Sequence, residues 1–555
     1  MDRSSKEMSI RGVSELLCST DTFEISRQEI DEAVARLGSA SSARRALKTR
    51  RNTFTHINRL PTEILSEIFL WSRIGTFYPI FTPPPKLSRW IRITHVCRHW
   101  RDVALDCPRL WNTIVPNNPN WTREWLIRSK EAPLSISFAP TGPDETAQHA
   151  MELVLAHMTR IATLHIYTDL ERMGRLLDAT TPGPILERLT LRVRGYPETD
   201  EDIQGYTLPE LFCTSAIPTL KKLDLACASF RWDSPIVTHL TVLALKVIPP
   251  ASRPSLREML DMLARASSLT VLILGEDVVD LGGTNPSLDV VNLPRLGSIS
   301  LSMQARVCGA LLTHLTFPSS ATIRLECICE ESAYTDLTEI TPRLKTSSAS
   351  GSGLQSLRIT GVTSWLASSF YGFSFVGSQN NVENIDVSLM WPSLEIPSSS
   401  IVMRMVAEIC KGLSLAHLQT LYVGDADITE ANWLDLFGSC ANLSTVAVSS
   451  TAYSAREFIF ASASDSTAND APMFLPALQH VELQDISFEG DNHPGDSRLA
   501  NELYHSLKSR LDGGVGLHSL VLSECPGLDQ VHVDRLKTVA FDVDWDGFTG
   551  GGVHQ

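Results

Sequence analysis

Basic residues are in short supply in this chain: 48 lysines and arginines stand against 63 aspartates and glutamates, a net charge of −15 over 555 residues. That balance works against nonspecific attachment to nucleic acid or to an anionic membrane, both of which need a basic footprint. Long apolar runs are missing too. No stretch approaches the roughly 18 residues a spanning helix requires, so a soluble chain is expected. The N-terminus, MDRSSKEMSIRGV, lacks the apolar centre of a secretory signal, and the eleven cysteines are an odd set without framework spacing. Both point to a reducing compartment, with cytoplasm, nucleus or both as the expected location.

Signatures of catalysis are equally scarce. Gly351-Ser352-Gly353 and Gly513-Gly514-Val515-Gly516 lack the Lys-Ser/Thr that grips phosphate, and no serine sits in a nucleophile elbow. His95 and His99, four apart on an expected helix, could offer two imidazoles to zinc, but Val96 stands where a metalloprotease needs its general base. Cys327 and Cys329 flank Ile328 on an expected strand without a second pair, which reads as core packing. The chain is therefore expected to be no enzyme and to carry no cofactor or metal.

What is present begins at Ile57, after a polar lead-in over 1–56 whose basic run Arg44, Arg45, Lys48, Arg50, Arg51 reads as a solvated face or an import signal. Pro61 suits a first helical position, and Leu60, Ile64, Leu65, Ile68 and Phe69 recur at spacings of three and four, gathering on one helix face. After the loop Phe77–Lys86, a second helix is expected over Trp90–Ala104, with Ile93, Val96, Cys97, Trp100 and Val103 as its apolar stripe and Pro108 ending it. Ala132 to Phe138 alternates as a strand should. Some 55 residues with two or three short amphipathic helices have too little interior to bury every apolar face, so part of that face should meet a partner.

These residues resemble a known family. The ordered set Leu60-Pro61-x-Glu63-Ile64-Leu65-x-x-Ile68-Phe69, then Val96-Cys97-x-x-Trp100-x-x-Val103-Ala104, then Leu110-Trp111, is similar to the F-box, over residues 57–114 and more loosely to 138. The run Arg128-Ser129-Lys130-x-Ala132-Pro133-Leu134-Ser135 resembles the segment C-terminal to the F-box in mushroom-type fungal proteins. The resemblance implies docking onto the Skp adaptor of a cullin-RING ubiquitin ligase, through Leu60, Pro61, Ile64, Leu65, Ile68 and Phe69 with Val96, Cys97, Trp100 and Val103.

The rest of the chain repeats. An apolar-x-x-apolar-x-apolar triplet occurs thirteen times, from Ile161-Leu164-Ile166 to Leu517-Leu520-Leu522, about every 30 residues. Its last two members sit two apart, as a strand with one buried face requires. Helical stretches such as Leu256-Met259-Leu260-Leu263-Ala264 lie between the triplets. The expected fold is α/β: a small helical head over 57–114, a connector over 115–138, an irregular leucine-rich-repeat-like solenoid over 139–540 and a loose tail over 541–555. A doubly wound parallel sheet competes with it. A regular repeat would place Asn or Cys three residues after the third apolar position, and only Cys525 does so. Loops are expected at Glu330–Gly353, Ala461–Met473 and Ser487–Asp496.

The residue between the last two apolar positions should line one open face: Thr190, Asp224, Ala244, Ile273, Ser300, Arg324, Arg358, Asp386, Tyr422, Ala447, Glu482 and Val521. Of these, Arg324, Arg358, Asp386 and Tyr422 are the candidate target contacts, because Tyr and Arg are enriched at hot spots. The expected function is that of a substrate receptor, with Skp adaptor, cullin and a protein target as partners. The alternative is a non-catalytic leucine-rich scaffold whose helical head caps the repeats, with no ligase role. A hydrolase on an α/β sheet would need perturbed carboxylates or histidines at strand ends.

Overall fold

The computed structural model describes residues 42–74, 87–140, 142, 145–194, 205–214, 217–276, 278–282, 288–329, 333–348, 353–363, 370–380, 382–392, 399–426, 428–449, 452–464, 474–489 and 498–549, with Glu32 and Val34. It is mixed α/β and divides into two compact units, Met1–Thr168 with Ala179–Arg188, and Asp169–Asp178 with Leu189–Gln555.

The first unit opens with the helices α1 (Ser42–Thr53), α2 (Thr62–Ile74), α3 (Arg98–Leu105), α4 (Pro108–Trp111) and α5 (Pro119–Arg128). A 3₁₀ segment, Leu87–His95, precedes α3. Three parallel strands accompany the helices: β1 (Thr113–Ile114) between α4 and α5, then β2 (Leu134–Phe138) and β3 (Ile161–Thr168), with α6 (Glu145–Leu155) crossing from β2 to β3. The second expected helix is therefore not continuous. Cys97 is fully extended (φ −155°, ψ 172°) and its sulfur takes the Trp100 N–H as an N-cap, so α3 starts afresh at Arg98. The β-branched run Ile91, Ile93, Thr94, Val96 has low helix propensity, which fits the tighter segment before it. His95 and His99 consequently sit on different elements rather than one turn apart on a single helix. The loop tip Phe77–Lys86 lies outside the described residues.

Strands carry all of the second unit's repeat signature: β4 (Arg188–Val193), β5 (Lys222–Ala226), β6 (Val242–Lys246), β7 (Val271–Leu274), β8 (Ser298–Gln304), β9 (Thr322–Ile328), β10 (Ser356–Thr363), β11 (Phe370–Gln379), β12 (Val382–Pro392), β13 (Thr420–Gly424), β14 (Thr445–Ser449), β15 (His480–Gln484), β16 (Leu517–Ser523) and β17 (Ala540–Trp545). The last two apolar residues of every triplet fall inside a strand, and in the second unit the register stacks them: Leu223 beside Leu243, Leu243 beside Leu272, Leu272 beside Ile299, Ile299 beside Ile323. The helices α7 (Leu170–Leu177), α8 (Leu256–Arg265), α9 (Ala305–Thr313), α10 (Ala333–Ser348), α11 (Ser399–Gly412), α12 (Glu430–Phe437), α13 (Ala452–Ser464), α14 (Arg498–Asp512) and α15 (Gln530–Leu536) lie between strands, and from α9 onward each packs against the next. Strand leucines are sealed beneath helix residues such as Met259, Leu263, Leu311, Ile409, Phe437 and Leu507.

Three features depart from the repeat reading. First, strand order inverts in the middle. β9 pairs with β12, β12 with β11, β11 with β10 and β10 with β13, so the chain skips two positions after β9 and returns through two antiparallel pairings before moving on. β11 carries no triplet. Before its hairpin partner β12, Asn380 stands in the left-handed region (φ +50°), which asparagine tolerates. Gly372 on β11 is required there, since a Cβ would fall 2.2 Å from the Leu389 carbonyl oxygen. Secondly, the expected loop Glu330–Gly353 contains α10, and the expected tail begins with a strand, β17, paired in parallel with β16. Of the other two expected loops, Ala461–Ser464 completes α13 and Ser487–Glu489 is described, the rest lying outside the described residues. Thirdly, the turns that lack Asn or Cys are solved by the backbone. Cys227, Val247, Asp425 and Asp485, each immediately after a strand, have φ of 49–54°. The N–H groups of Cys227, Val247, Asp425 and Asp485 thereby reach a carbonyl of the next rung. Cys525 donates its thiol to the Leu483 carbonyl oxygen.

Candidate functional site

Helix α2 is apolar on two sides. Leu65 and Phe69, one turn apart, are wholly buried, while Ile64, Ile68 and Trp71, at i, i+4 and i+7, are 50%, 40% and 70% exposed. Ile57 and Pro61, ahead of the helix start, are exposed as well, and Val96, 58% exposed, is a further bare aliphatic side chain of the same unit. Contiguous exposed apolar side chains on a small domain mark a surface that meets something.

The support behind this face is specific. Phe69 lies against Trp100, with ring centroids 5.1 Å apart. The Trp100 indole N–H donates to Asn58 Oδ1 (2.6 Å), and the Asn58 amide donates to the Asn52 carbonyl (2.7 Å), tying α3 to the end of α1. Trp90, Trp111 and Trp125 meet edge to face with centroids 5.0–5.8 Å apart, Arg128 covers the Trp111 ring at 4.5 Å, and the Trp111 N–H donates to the Ala104 carbonyl. A rigid aromatic core thus holds α2 from behind. Exposed ion pairs, Arg109 with Glu67 and Lys130 with Asp106, both 2.7 Å, trim the periphery. The Asp106 carboxyl is held below its usual range first by the hydrogen bond from Lys130.

Residues 57–117 match the family model described as F-box-like. They form an F-box-like domain. Comparison of the chain with curated proteins finds no match.

Within the F-box-like domain the ten residues expected to dock an adaptor divide into three groups. Pro61, Ile64, Ile68 and Val96 are exposed. Leu60, Cys97 and Trp100 are half-buried, Cys97 serving as the α3 cap and Trp100 as the lid over Phe69. Leu65, Phe69 and Val103 are buried and belong to the domain's own core. The reason is geometric: spacings of three and four cannot separate the two sides of a helix that is apolar on both. Ile57 and Trp71, outside that set, are exposed too, Trp71 at the 64, 68, 71 spacing.

The four candidate target contacts lie in one register line of the second unit, in the inverted order. Arg324 sits beside Asp386, Asp386 beside Val376, Val376 beside Arg358, and Arg358 beside Tyr422. The inversion pairs them off. Arg324 Nε donates to Asp386 Oδ2 (2.9 Å), while the Arg358 guanidinium stands 4.9 Å over the Tyr422 ring, whose hydroxyl shares a hydrogen bond with Ser449 (2.6 Å). At the start of the line Thr190, Asp224 and Ala244 are buried rather than open, and so is Ala447 farther along. Asp224 is held there by Arg192 at 3.2 Å, a neighbour that reading one residue per rung did not reveal.

Burial disfavours the thiolate form of three cysteines in this unit. Burial, with Cys440 nearby, pushes Cys410 up to about 12, and burial pushes Cys440 and Cys525 to about 11. Cys327 and Cys329 are buried, and the Cys329 thiol donates to the Cys327 carbonyl. Among the described residues no three His, Cys, Asp or Glu side chains are grouped to hold a metal ion.

Proposed function

We propose that this chain is the substrate-recognition subunit of a Skp–cullin–F-box ubiquitin ligase. F-box domains typically bind a Skp-type adaptor, and the observation that carries the reading is the exposed apolar row Ile57, Pro61, Ile64, Ile68 and Trp71 on a domain that matches that family. The row docks the adaptor, and through it the cullin. The second unit, read as a leucine-rich-repeat-like solenoid with an inverted centre, holds a protein target for ubiquitin transfer performed elsewhere in the complex. In this reading the chain is no enzyme and works in the cytoplasm or nucleus. The upward-shifted thiols favour it over covalent cysteine chemistry within the chain itself.

Titration calorimetry of the full chain against a Skp adaptor tests the proposal. Ile64→Asp/Ile68→Asp should abolish binding and leave the melting temperature unchanged. A wild-type chain that shows no heat of binding refutes the ligase role and leaves the scaffold reading standing.

A further inference from the structure

Among the described residues the second unit ends in a sheet edge paired on one side only. β17 pairs with β16 on one side, Ser519 beside Asp542 and Val521 beside Asp544, and among the described residues no strand pairs with its other side. Such an edge presents backbone N–H and C=O groups to which another extended chain can add. The charge around it is one-sided. β15, β16 and β17, each with its next residue in the chain, carry Glu482, Asp485, Glu524, Asp542, Asp544 and Asp546 and no lysine or arginine. Asp546 already accepts the Glu524 N–H, whereas Asp542 and Asp544, two apart on one face of the edge strand, are exposed.

An apolar feature adjoins them. Phe541 is 85% exposed and stacks on His518, with centroids 5.2 Å and planes 10° apart. It walls an open cavity of about 500 Å³ that Leu511, Gly516 and Thr538 also line. A second copy of the chain is a poor occupant, because edge-to-edge pairing would bring the Asp542 and Asp544 carboxylates against their own counterparts, and like charges facing across a ladder destabilise it.

We infer that the β17 edge docks an extended basic segment of another protein. That segment adds as a strand, sets lysine or arginine side chains against Asp542 and Asp544, and places an apolar side chain in the cavity beside Phe541. Its identification as the target's recognition element rests on the receptor reading above; the docking itself does not.

The test uses the full chain and a fluorescein-labelled decapeptide of alternating Lys and Val, with fluorescence anisotropy as the readout. Saturable binding is expected, with a Glu-Val peptide at least about tenfold weaker. Asp542→Asn/Asp544→Asn and Asp542→Lys/Asp544→Lys should each weaken the Lys-Val peptide by about tenfold or more, with circular dichroism unchanged. Methylating the backbone amides of either the lysines or the valines should disrupt binding in one of the two phases, since a strand offers alternate amides to its neighbour. No saturable binding, equal affinity of the Asn variant, or equal affinity of both methylated peptides overturns the inference. Adaptor affinity measured on the wild-type chain keeps the two readings apart: absence of adaptor binding alone strikes the ligase role, and absence of peptide binding alone strikes the edge.

Discussion

Ile64 and Leu65 are neighbours in sequence and opposites in structure, which makes them a stringent pair for mutation. Leu65 is wholly buried, so Leu65→Ala removes its transfer energy and leaves a void, costing about 2–5 kcal/mol. Ile64 is half exposed on the same helix, and alanine has the higher helix propensity, so Ile64→Ala should be neutral or slightly stabilising, by about 0.4 kcal/mol. Adaptor affinity should reverse that ranking. If Ile64 is an anchor of the docking row, its truncation costs about 2 kcal/mol, close to 30-fold in Kd. The assay is a thermal melt of each full-length variant beside calorimetry against the adaptor at a temperature where both remain folded. Two results would refute the reasoning: equal destabilisation by both substitutions, or adaptor affinity unchanged by Ile64→Ala, Ile68→Ala and Trp71→Ala alike.

In the repeats, Leu272→Ala on β7 should cost about 2–5 kcal/mol against well under 1 for Arg50→Ala on α1, so equal melting temperatures would be inconsistent with the central packing of β7. Arg510, wholly buried, donates to the Phe474 and Leu475 carbonyls, both at 2.8 Å; Arg510→Met strands both acceptors and should destabilise by about 3 kcal/mol in urea unfolding, while an unchanged midpoint would show that water replaces it. Asp529 caps α15 through the His532 N–H, the first cause of its lowered pKa, so Asp529→Ala should cost about 0.5–1 kcal/mol at neutral pH. Because the folded carboxyl is the stronger acid, that contribution is complete above the ordinary aspartate pKa and fades as pH falls through the lowered folded value. Chemical denaturation of wild type and variant should therefore converge in acid, and a gap that persists below that value would contradict the assignment.

How far local pattern reaches can be judged from single elements. The helical head was legible because Pro61, the apolar spacing after it and the Trp100 and Trp111 positions are local signals at definite intervals. Every strand bearing a triplet was legible for the same reason, since alternation of Leu223 and Leu225, or Val446 and Val448, needs only one buried face. β11 was not, because Phe370–Gln379 has antiparallel neighbours and no anchoring turn residue, and β17 was not, because Asp542 and Asp544 disguise an edge strand as a polar tail. The split at Cys97 escaped notice because an unbroken apolar stripe does not reveal an extended residue within it.

Apart from α10, β11, β17 and the break at Cys97, the amino-acid order alone determined which stretches become helix or strand, because hydrophobic period acts over a few residues and burial tracks it. Which side of α2 faces inward was decided by the packing of Trp100 and the tryptophan cluster behind it, a choice the helix cannot make alone when both sides are apolar. The pairing of Arg324 with Asp386 and of Arg358 with Tyr422 was decided by strand order, because residues separated by dozens of positions become neighbours only when the sheet forms, and among the described residues the same sheet leaves Asp542 and Asp544 on an edge strand.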